Sequence, residues 1–213
     1  MKKSSKKDKI ICDVIPVFVE LGYSNATMRL IASRLNMNLS LITYYFESKE
    51  KLYHSCIQKS MGVLLEFVGE RLLESSKNVK SKNEAIEVIS TTIVDYTLKA
   101  LCNKDFRDYS KLLDRTLVEY DDIVNNIDKN YLQPLYSSFC FLLNYISKKK
   151  KSDRELFLQI YSIVGLSTIF VRDYAFVFKK NLNGAISDSD RQIVEKIIKS
   201  HLLIILTTIS LDI

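Results

Sequence analysis

Apolar side chains recur at helical spacing near the start of the chain and again over most of its length. A helix buries one face when its apolar residues follow the i, i+3, i+4, i+7 rule. In the first such segment these residues are Ile11, Val14, Ile15 and Phe18. We predict a first helix over about residues 8–21, ended by Gly22, and a second over about residues 27–35, capped by Thr27.

The next segment, LSLITYYF at residues 39–46, has the β-branched and aromatic composition of a strand. Asn36 and Asn38 before it favour a tight turn, because asparagine tolerates left-handed backbone angles, and Ser48 after it is a helix cap. If the segment is helical, one face carries Ile42, Tyr45 and Phe46. The opposite face then carries Ser40, Thr43 and Tyr44. We predict a short helix that packs through its apolar face and leaves its hydroxyl-bearing face open to solvent.

Two short helices joined by a tight turn form the helix-turn-helix arrangement, in which the second helix enters the major groove of DNA. The same spacing is compatible with ordinary packing of successive short helices in a helical protein. The spacing alone therefore leaves DNA binding and a structural role both open.

The composition favours helices throughout, because five Gly and two Pro supply few turn residues for 213 residues. The apolar fraction of 47% is sufficient for a core. The formal net charge of +6 is concentrated at residues 1–9, which contain Lys2, Lys3, Lys6, Lys7 and Lys9. This tail is either a solvated terminus or an arm that binds phosphate groups.

The sequence contains no residue pattern typical of an enzyme. Its four cysteines are far apart and it has two histidines, so we predict reduced, mostly buried thiols and no metal site. It shows neither paired carboxylates, nor a nucleophile with its base, nor a glycine-rich phosphate loop. We therefore expect no catalytic residues and no cofactor. The apolar carboxyl-terminal stretch is shorter than the roughly 20 residues that span a bilayer, so we expect a soluble cytoplasmic protein without a membrane partner.

Residues 17–52 resemble the DNA-binding domain of TetR-type transcriptional regulators. The matching residues, in the family's order and spacing, are Phe18, Gly22-Tyr23, Thr27, Arg29, Ile31-Ala32, Tyr44-Tyr45-Phe46, Ser48-Lys49-Glu50 and Leu52. The resemblance implies an all-α fold with an N-terminal three-helix helix-turn-helix DNA-binding domain and a larger helical regulatory and dimerisation domain. It assigns residues 1–52, including the basic tail, to the first domain and residues 53–213 to the second.

The resemblance also implies which side chains contact DNA. Lys49, at the positive end of helix four, is expected to meet a phosphate. Contacts to the DNA backbone, which fix register without reading sequence, are expected from Thr27, Thr43 and Tyr44. Contacts to base edges are expected from Arg29, Asn38, Leu39 and Ser40.

The chain departs from the family pattern around the turn. The family commonly opens this turn with Gly-Val-Ser, where this chain has Asn36-Met37-Asn38. A polar or basic residue is frequent in the family at the position of Leu39, and a tyrosine at the position of Thr43. We expect Leu39 to pack on a thymine methyl group instead. Arg29 is equally compatible with a base contact and with a surface ion pair to a nearby acid.

Two segments of the larger domain, residues 157–178 and 193–211, are apolar nearly all round, which is typical of buried helices. Either both helices are enclosed within one subunit, or they pair with their two-fold mates, as the last two helices do in the family. The resemblance favours a homodimer through the last two helices.

The resemblance implies a small-molecule effector in the larger domain, where aromatic side chains suit an apolar ligand. We predict a repressor that is released from a palindromic DNA operator when the effector tilts helix four. The alternative is a helical interaction or scaffold protein that uses its DNA-binding domain for localisation. A pocket of several hundred Å³ in the larger domain would favour the effector-controlled regulator.

Overall fold

The computed structural model describes residues 5–119, 133–147, 150–179 and 185–211, and these residues form helices without any strand. The all-α fold class predicted from the sequence is confirmed. In chain order the helices are α1 (Lys6–Asn25), α2 (Met28–Arg34), α3 (Leu39–Phe46), α4 (Lys49–Leu64), a π-helical segment (Leu65–Gly69), α5 (Glu70–Asn78), α6 (Lys82–Cys102), α7 (Lys104–Glu119), α8 (Gln133–Ile146), α9 (Asp153–Arg172), α10 (Tyr174–Val177) and α11 (Asp188–Leu211).

The chain folds into two compact units. The first comprises the chain up to Leu64 together with the part of α7 from Asp108 onward, and the second comprises Leu65–Arg107 and the described helices from α8 onward. The sequence predicts that the DNA-binding domain ends at residue 52, and this functional boundary stays a prediction. In the first unit, part of α7 packs with α1–α4, although it lies far from them in sequence.

The first unit is held together by apolar residues from each of its short helices. Phe18, Ile31, Ile42 and Leu52 are fully enclosed, one each from α1, α2, α3 and α4. Helices as short as α2 and α3 are marginal in isolation, so this packing rather than helix propensity keeps them folded. The position and orientation of α3 therefore depend on the core beneath it.

The second unit is built around α6, which packs against α5, α8, α9 and α11. Ile89, Leu142, Ile163 and Leu202 are fully buried in this core. Ser81 and Ser152 cap α6 and α9, because their hydroxyls accept from the N–H groups of Glu84 and Glu155. Both serines open an S-x-x-E pattern, the sequence signature of a capping box.

Several predicted boundaries shift in the structure. The first helix begins at Lys6 rather than near residue 8, because Ser5 and Asp8 form a capping box. Lys6, Lys7 and Lys9 are therefore helical rather than part of a loose tail, and Lys2 and Lys3 lie outside the described residues. A π-helical segment follows Leu64, and such single-turn insertions are seldom visible in hydrophobic spacing.

The prediction of mostly buried thiols is wrong for the chain as a whole. All four cysteines are free, but Cys56 alone is buried, Cys12 and Cys140 are half-buried, and Cys102 is exposed. Burial raises the pKa of the Cys56 thiol well above its ordinary value. Spacing in the sequence did not distinguish these environments, because each depends on which helices pack nearby.

The surface of α9 is unusually apolar. By length and composition this helix could cross a membrane, with a mean hydropathy of 1.3 over its most apolar window. Such helices also occur at the core or interface of proteins that never enter a membrane. In this chain 28% of that window is buried, so apolar side chains remain exposed along α9.

Candidate DNA-binding site

Helix α3 adopts the predicted conformation and presents the predicted faces. Asn38 caps it, because its side-chain oxygen accepts from the Ser40 N–H at 2.9 Å. Ile42 and Phe46 are buried, whereas Tyr44 is 80% exposed. Ser40 and Thr43 are exposed on the same side as Tyr44, and Leu39 is half-buried. The outward face therefore carries two hydroxyls and a phenol.

The turn between α2 and α3 depends on Asn36, which adopts a left-handed backbone with φ of 51°. The Met37 N–H donates to the Ala32 carbonyl at 2.9 Å, and the Asn36 N–H donates to the Ser33 carbonyl at 3.2 Å. Asparagine adopts these angles more readily than most residues other than glycine. Asn36 therefore makes the tight turn that the family commonly makes with glycine.

Helix α2 begins as predicted and places two candidate contacts at its amino-terminal end. The Thr27 hydroxyl accepts from the Leu30 N–H at 3.2 Å, and Arg29 is exposed in the first turn. Glu20 of α1 pairs with Arg34 of α2, because its carboxylate accepts from the Arg34 guanidinium at 2.9 and 3.1 Å. This pair lowers the pKa of Glu20, first through the hydrogen bond and then through the charge of Arg34.

Lys49 is more constrained than the sequence indicated. Its ammonium donates to the Tyr23 carbonyl at 2.9 Å and lies 4.1 Å from the centroid of the Tyr23 ring. An ammonium has three N–H donors, so Lys49 can donate to a phosphate while it keeps its contact with Tyr23. Lys49 thus links the start of α4 to the end of α1, in addition to any contact with DNA.

Lys7 lies close to the other end of α3. Its ammonium is 5.3 Å from the centroid of the Phe46 ring, at the carboxyl end of α3. Glu47, which follows with φ of 60°, has its pKa lowered mainly by its hydrogen bond and ion pair with Lys51. The basic amino-terminal turn of α1 therefore adds positive charge close to the carboxyl end of α3.

Two short helices joined by a tight turn, the second of which exposes hydroxyl-bearing side chains, have the geometry of a helix-turn-helix DNA-binding domain. Residues 16–56 match the family model described as bacterial regulatory proteins, tetR family. Residues 16–56 thus carry the DNA-binding domain of the TetR family of transcriptional regulators. Regulators of this family are non-enzymatic, DNA-binding proteins of the cytoplasm.

Curated relatives match over very different lengths. The HTH-type transcriptional dual regulator CecR of Shigella flexneri is 23% identical, and the match covers 99% of this chain and 95% of CecR. The negative transcriptional regulator IcaR of the icaADBC biofilm operon of Staphylococcus aureus is 36% identical over 24% of this chain and 28% of IcaR. The IcaR match covers only 52 residues, a length close to that of one DNA-binding domain.

Solved structures share the fold over nearly the whole chain. The ketosteroid regulator KstR2 of Mycobacterium tuberculosis has a TM-score of 0.66 at 14% identity and covers 97% of this chain and 95% of its own. FadR of Bacillus subtilis, solved in complex with stearoyl-CoA, has a TM-score of 0.60 at 20% identity and covers 92% and 97%. At these identities the likeness shows the fold alone.

Proposed function

We propose that the protein is a transcriptional repressor that binds a palindromic operator as a homodimer and is released by a small-molecule effector. The observation that carries the DNA-binding part is the exposed face of α3, where Tyr44 and two hydroxyls stand on a helix fixed from below by Ile42 and Phe46. Repression is supported by the similarity to IcaR, which is named a negative regulator, whereas CecR is named a dual regulator.

The candidate side chains form two groups, one proposed to contact phosphate and the other proposed to contact base edges. Contacts to phosphate oxygens are proposed for Thr27, Thr43, Tyr44 and Lys49. Contacts to base edges are proposed for Arg29, Asn38, Leu39 and Ser40. The Thr43 hydroxyl donates to the Leu39 carbonyl at 3.0 Å, so it must turn its O–H away from that carbonyl to donate to a phosphate oxygen. Asn38 uses its side-chain oxygen as the cap and keeps its amide donors for a base or a phosphate.

Dimerisation through the last two helices is supported by an apolar stripe, which we define as the exposed apolar side chains of α9 and α11. In α11 the stripe consists of Ile193, Ile197, Leu203, Ile204 and Leu211, which are 53%, 37%, 58%, 64% and 54% exposed. In α9 it consists of Phe157, Leu158, Tyr161 and Ile169, which are 45%, 51%, 70% and 49% exposed. Contiguous apolar surface of this kind marks an interaction site, and a second copy of the chain would cover both helices without a membrane.

A dimer would present two copies of α3 to successive major grooves, roughly 34–36 Å apart. Ile204→Glu places a charge in the apolar stripe, and we expect it to shift the protein to monomers in sedimentation velocity and to abolish tight operator binding. Gln192→Glu adds the same charge at an exposed position outside the stripe and should leave the dimer intact. A fully dimeric Ile204→Glu variant would contradict this interface.

The proposed effector site is a groove of about 600 Å³ between α5 and α6. Its volume favours a regulator with a small-molecule ligand over the interaction-protein alternative. The groove carries no aromatic side chain, in contrast to the expectation that aromatics suit the ligand. Its lining residues are Glu74, Ser75, Asn78, Val79, Glu84, Glu87, Val88, Thr91 and Asp95.

The four carboxylates of this groove bear on the chemistry of the effector. Stearoyl-CoA, the ligand seen with FadR, carries several negative charges that these carboxylates would repel. A ligand with a positive charge and a short apolar segment would suit the groove better. Isothermal titration of effector candidates with and without DNA tests the coupling, because release requires that each ligand weaken binding of the other by the same factor.

Selection of bound duplexes from a random DNA pool tests the DNA-binding function directly. We expect the protein to enrich a palindromic sequence and to lose affinity steeply with salt, because each phosphate contact releases counterions. Tyr44→Phe removes one phenolic hydroxyl from the exposed face and should weaken binding to the enriched duplex. Failure to enrich any sequence would contradict the proposed function.

A further inference from the structure

The end of α1 is a break in the helix rather than a gradual fraying. Gly22 adopts φ of 77° and ψ of 168°, outside the helical region, although helical turns continue as far as Asn25. Carbonyl groups in the last turn before such a break lose their usual N–H partners. The Val19 carbonyl lies in that turn. It accepts from the Nη1 of Arg115, a residue of α7, at 3.0 Å.

Arg115 also lies directly against Gly22. A Cβ atom at position 22 would be 2.6 Å from Arg115 Nη2 and 3.0 Å from its Cζ. The positive φ favours glycine at position 22, and a methyl group there would force the Arg115 guanidinium to move. The positive charge of Arg115 also complements the negative end of the α1 dipole.

Thr116, the residue next to Arg115, is linked to the same break through Tyr53. The Thr116 hydroxyl and the Tyr53 hydroxyl are hydrogen-bonded at 2.9 Å in a buried position. The Tyr53 ring packs against Phe18 before the break and Tyr23 after it, with centroid distances of 4.8 and 4.9 Å. Two adjacent residues of α7 thus act on both sides of Gly22.

The end of α1 is connected to the DNA-binding helix by a short path. Glu20, in the last turn before the break, makes its two hydrogen bonds to Arg34 at the end of α2. Arg34 is followed closely by the turn at Asn36 and then by α3. A shift of the end of α1 would therefore move the start of α3 relative to DNA.

We propose that Arg115 is a positioning residue for operator binding, which fixes the end of α1 and through it the angle at which α3 meets DNA. The inference rests on the proposed DNA-binding function and deepens it. The matched family segment ends at residue 56, so the DNA-binding unit includes a part of the chain that the segment does not contain. Arg115 acts on protein carbonyl and backbone, so its effect is separable from a phosphate contact.

The test uses the full chain, the duplex that the wild type enriches and a scrambled duplex of equal length. Arg115→Met keeps the stem and removes the guanidinium. We expect it to bind the enriched duplex about tenfold more weakly and the scrambled duplex within about twofold of wild type, with an unchanged salt slope. Arg115→Lys should fall between the two, because an ammonium retains charge but not the planar fork. Arg191→Met removes the same charge from the exposed surface of α11 and should bind as wild type.

The possible results distinguish a failure of the role inferred for Arg115 from a failure of the proposed DNA-binding function. A wild type that enriches no sequence would contradict the proposed function, and the inference with it. If the wild type selects a duplex and Arg115→Met binds it equally well, the positioning role alone is wrong. Equal loss on both duplexes with a salt slope lower by about 0.9 would show that Arg115 contacts phosphate instead.

A double-mutant cycle covers the case in which Arg115→Met merely destabilises the protein. Gly22→Ala should also weaken binding to the enriched duplex, because its methyl group displaces the guanidinium. In the double variant Gly22→Ala/Arg115→Met that clash is absent, so the loss should be smaller than the product of the single losses. Losses that multiply would show that the two positions act independently and would overturn the inference. A general loss of stability would not produce this specific coupling.

Discussion

The two units differ most in what they leave exposed. Among the described residues of the first unit, Tyr44 is the single large apolar or aromatic side chain that is exposed. In the second unit such side chains form the apolar stripe of α9 and α11 and continue to Phe176, which is 86% exposed. Phosphate and base edges require polar partners, whereas a protein surface favours apolar ones. The contrast is consistent with the proposal that the first unit binds DNA and the second contacts another copy of the chain.

The two units also share one structural feature. In each unit an arginine of α7 donates to backbone carbonyl groups near the end of another helix. Arg107 donates to the carbonyls of Ala100 and Leu101 at 3.1 and 3.0 Å, at the end of α6, and Arg115 donates to that of Val19 at the end of α1. Arg107 is 1% exposed and lies 3.9 Å from the centroid of the Tyr174 ring. In the second unit the arginine stabilises a core, whereas in the first we propose that it orients a binding surface.

The largest effect is expected from the core of the first unit. Phe18→Ala removes a fully enclosed ring that packs on Tyr53, and we expect it to lower the free energy of unfolding of that unit by about 3–5 kcal/mol. Urea denaturation followed by circular dichroism measures the loss, and hydrogen exchange assigns it to α1–α4. Tyr44→Ala, at an exposed position, should change stability by less than about 0.5 kcal/mol yet weaken DNA binding. Equal destabilisation by the two variants would remove the distinction between core and contact surface.

The next effect concerns the enclosed arginine of the second unit. Arg107→Met leaves two helix-end carbonyls without this donor, and we expect a loss of about 2 kcal/mol in the free energy of unfolding. Arg154→Met removes an exposed guanidinium of α9 and should change stability by less than about 0.5 kcal/mol. Urea denaturation compares the two variants. An Arg107→Met protein as stable as wild type would show that the methionine stem replaces everything the guanidinium contributes.

A smaller effect separates helix capping from DNA binding. Thr27→Ala and Ser152→Ala each remove a hydroxyl that caps a helix, and each should cost about 1 kcal/mol of stability. Only Thr27→Ala should also weaken operator binding, because only α2 belongs to the first unit. Thr27→Ser keeps the hydroxyl and should restore most of both losses. Reduced operator affinity in Ser152→Ala would show that a cap in the second unit also affects DNA binding.

The smallest effect is the pH dependence of the link between α1 and α2. Arg34 lowers the pKa of Glu20 in the folded state, so the unfolded state takes up the proton first. The pair therefore contributes stability above the ordinary value of 4.5, and the contribution disappears as pH falls through the lowered pKa. The melting temperatures of wild type and Glu20→Gln should differ at pH 7 and converge in acid. Arg34→Met should follow the same course, and a gap that is constant with pH would contradict the assignment.

Local signals in the sequence predicted much of the first unit. The faces of residues 39–46, the caps at Thr27 and Ser48 and the turn at Asn36 all follow from interactions between residues close together in the chain. Side chains on one turn of a helix are neighbours whatever the rest of the chain does, so spacing alone reveals them. The S-x-x-E patterns that cap α6 and α9, and the apolar character of α9 and α11, are local signals of the same kind.

Only the tertiary structure decided which distant residues meet. Nothing in the sequence near Gly22 indicates Arg115, and nothing near Lys49 indicates the Tyr23 carbonyl. The acidic groove between α5 and α6 and the enclosure of Arg107 likewise depend on how whole helices pack. Spacing determines which face of a helix is apolar, but the partner of that face is set by the packing of the entire core. For this reason the recognition helix was evident from its own residues, while the residue proposed to orient it was not.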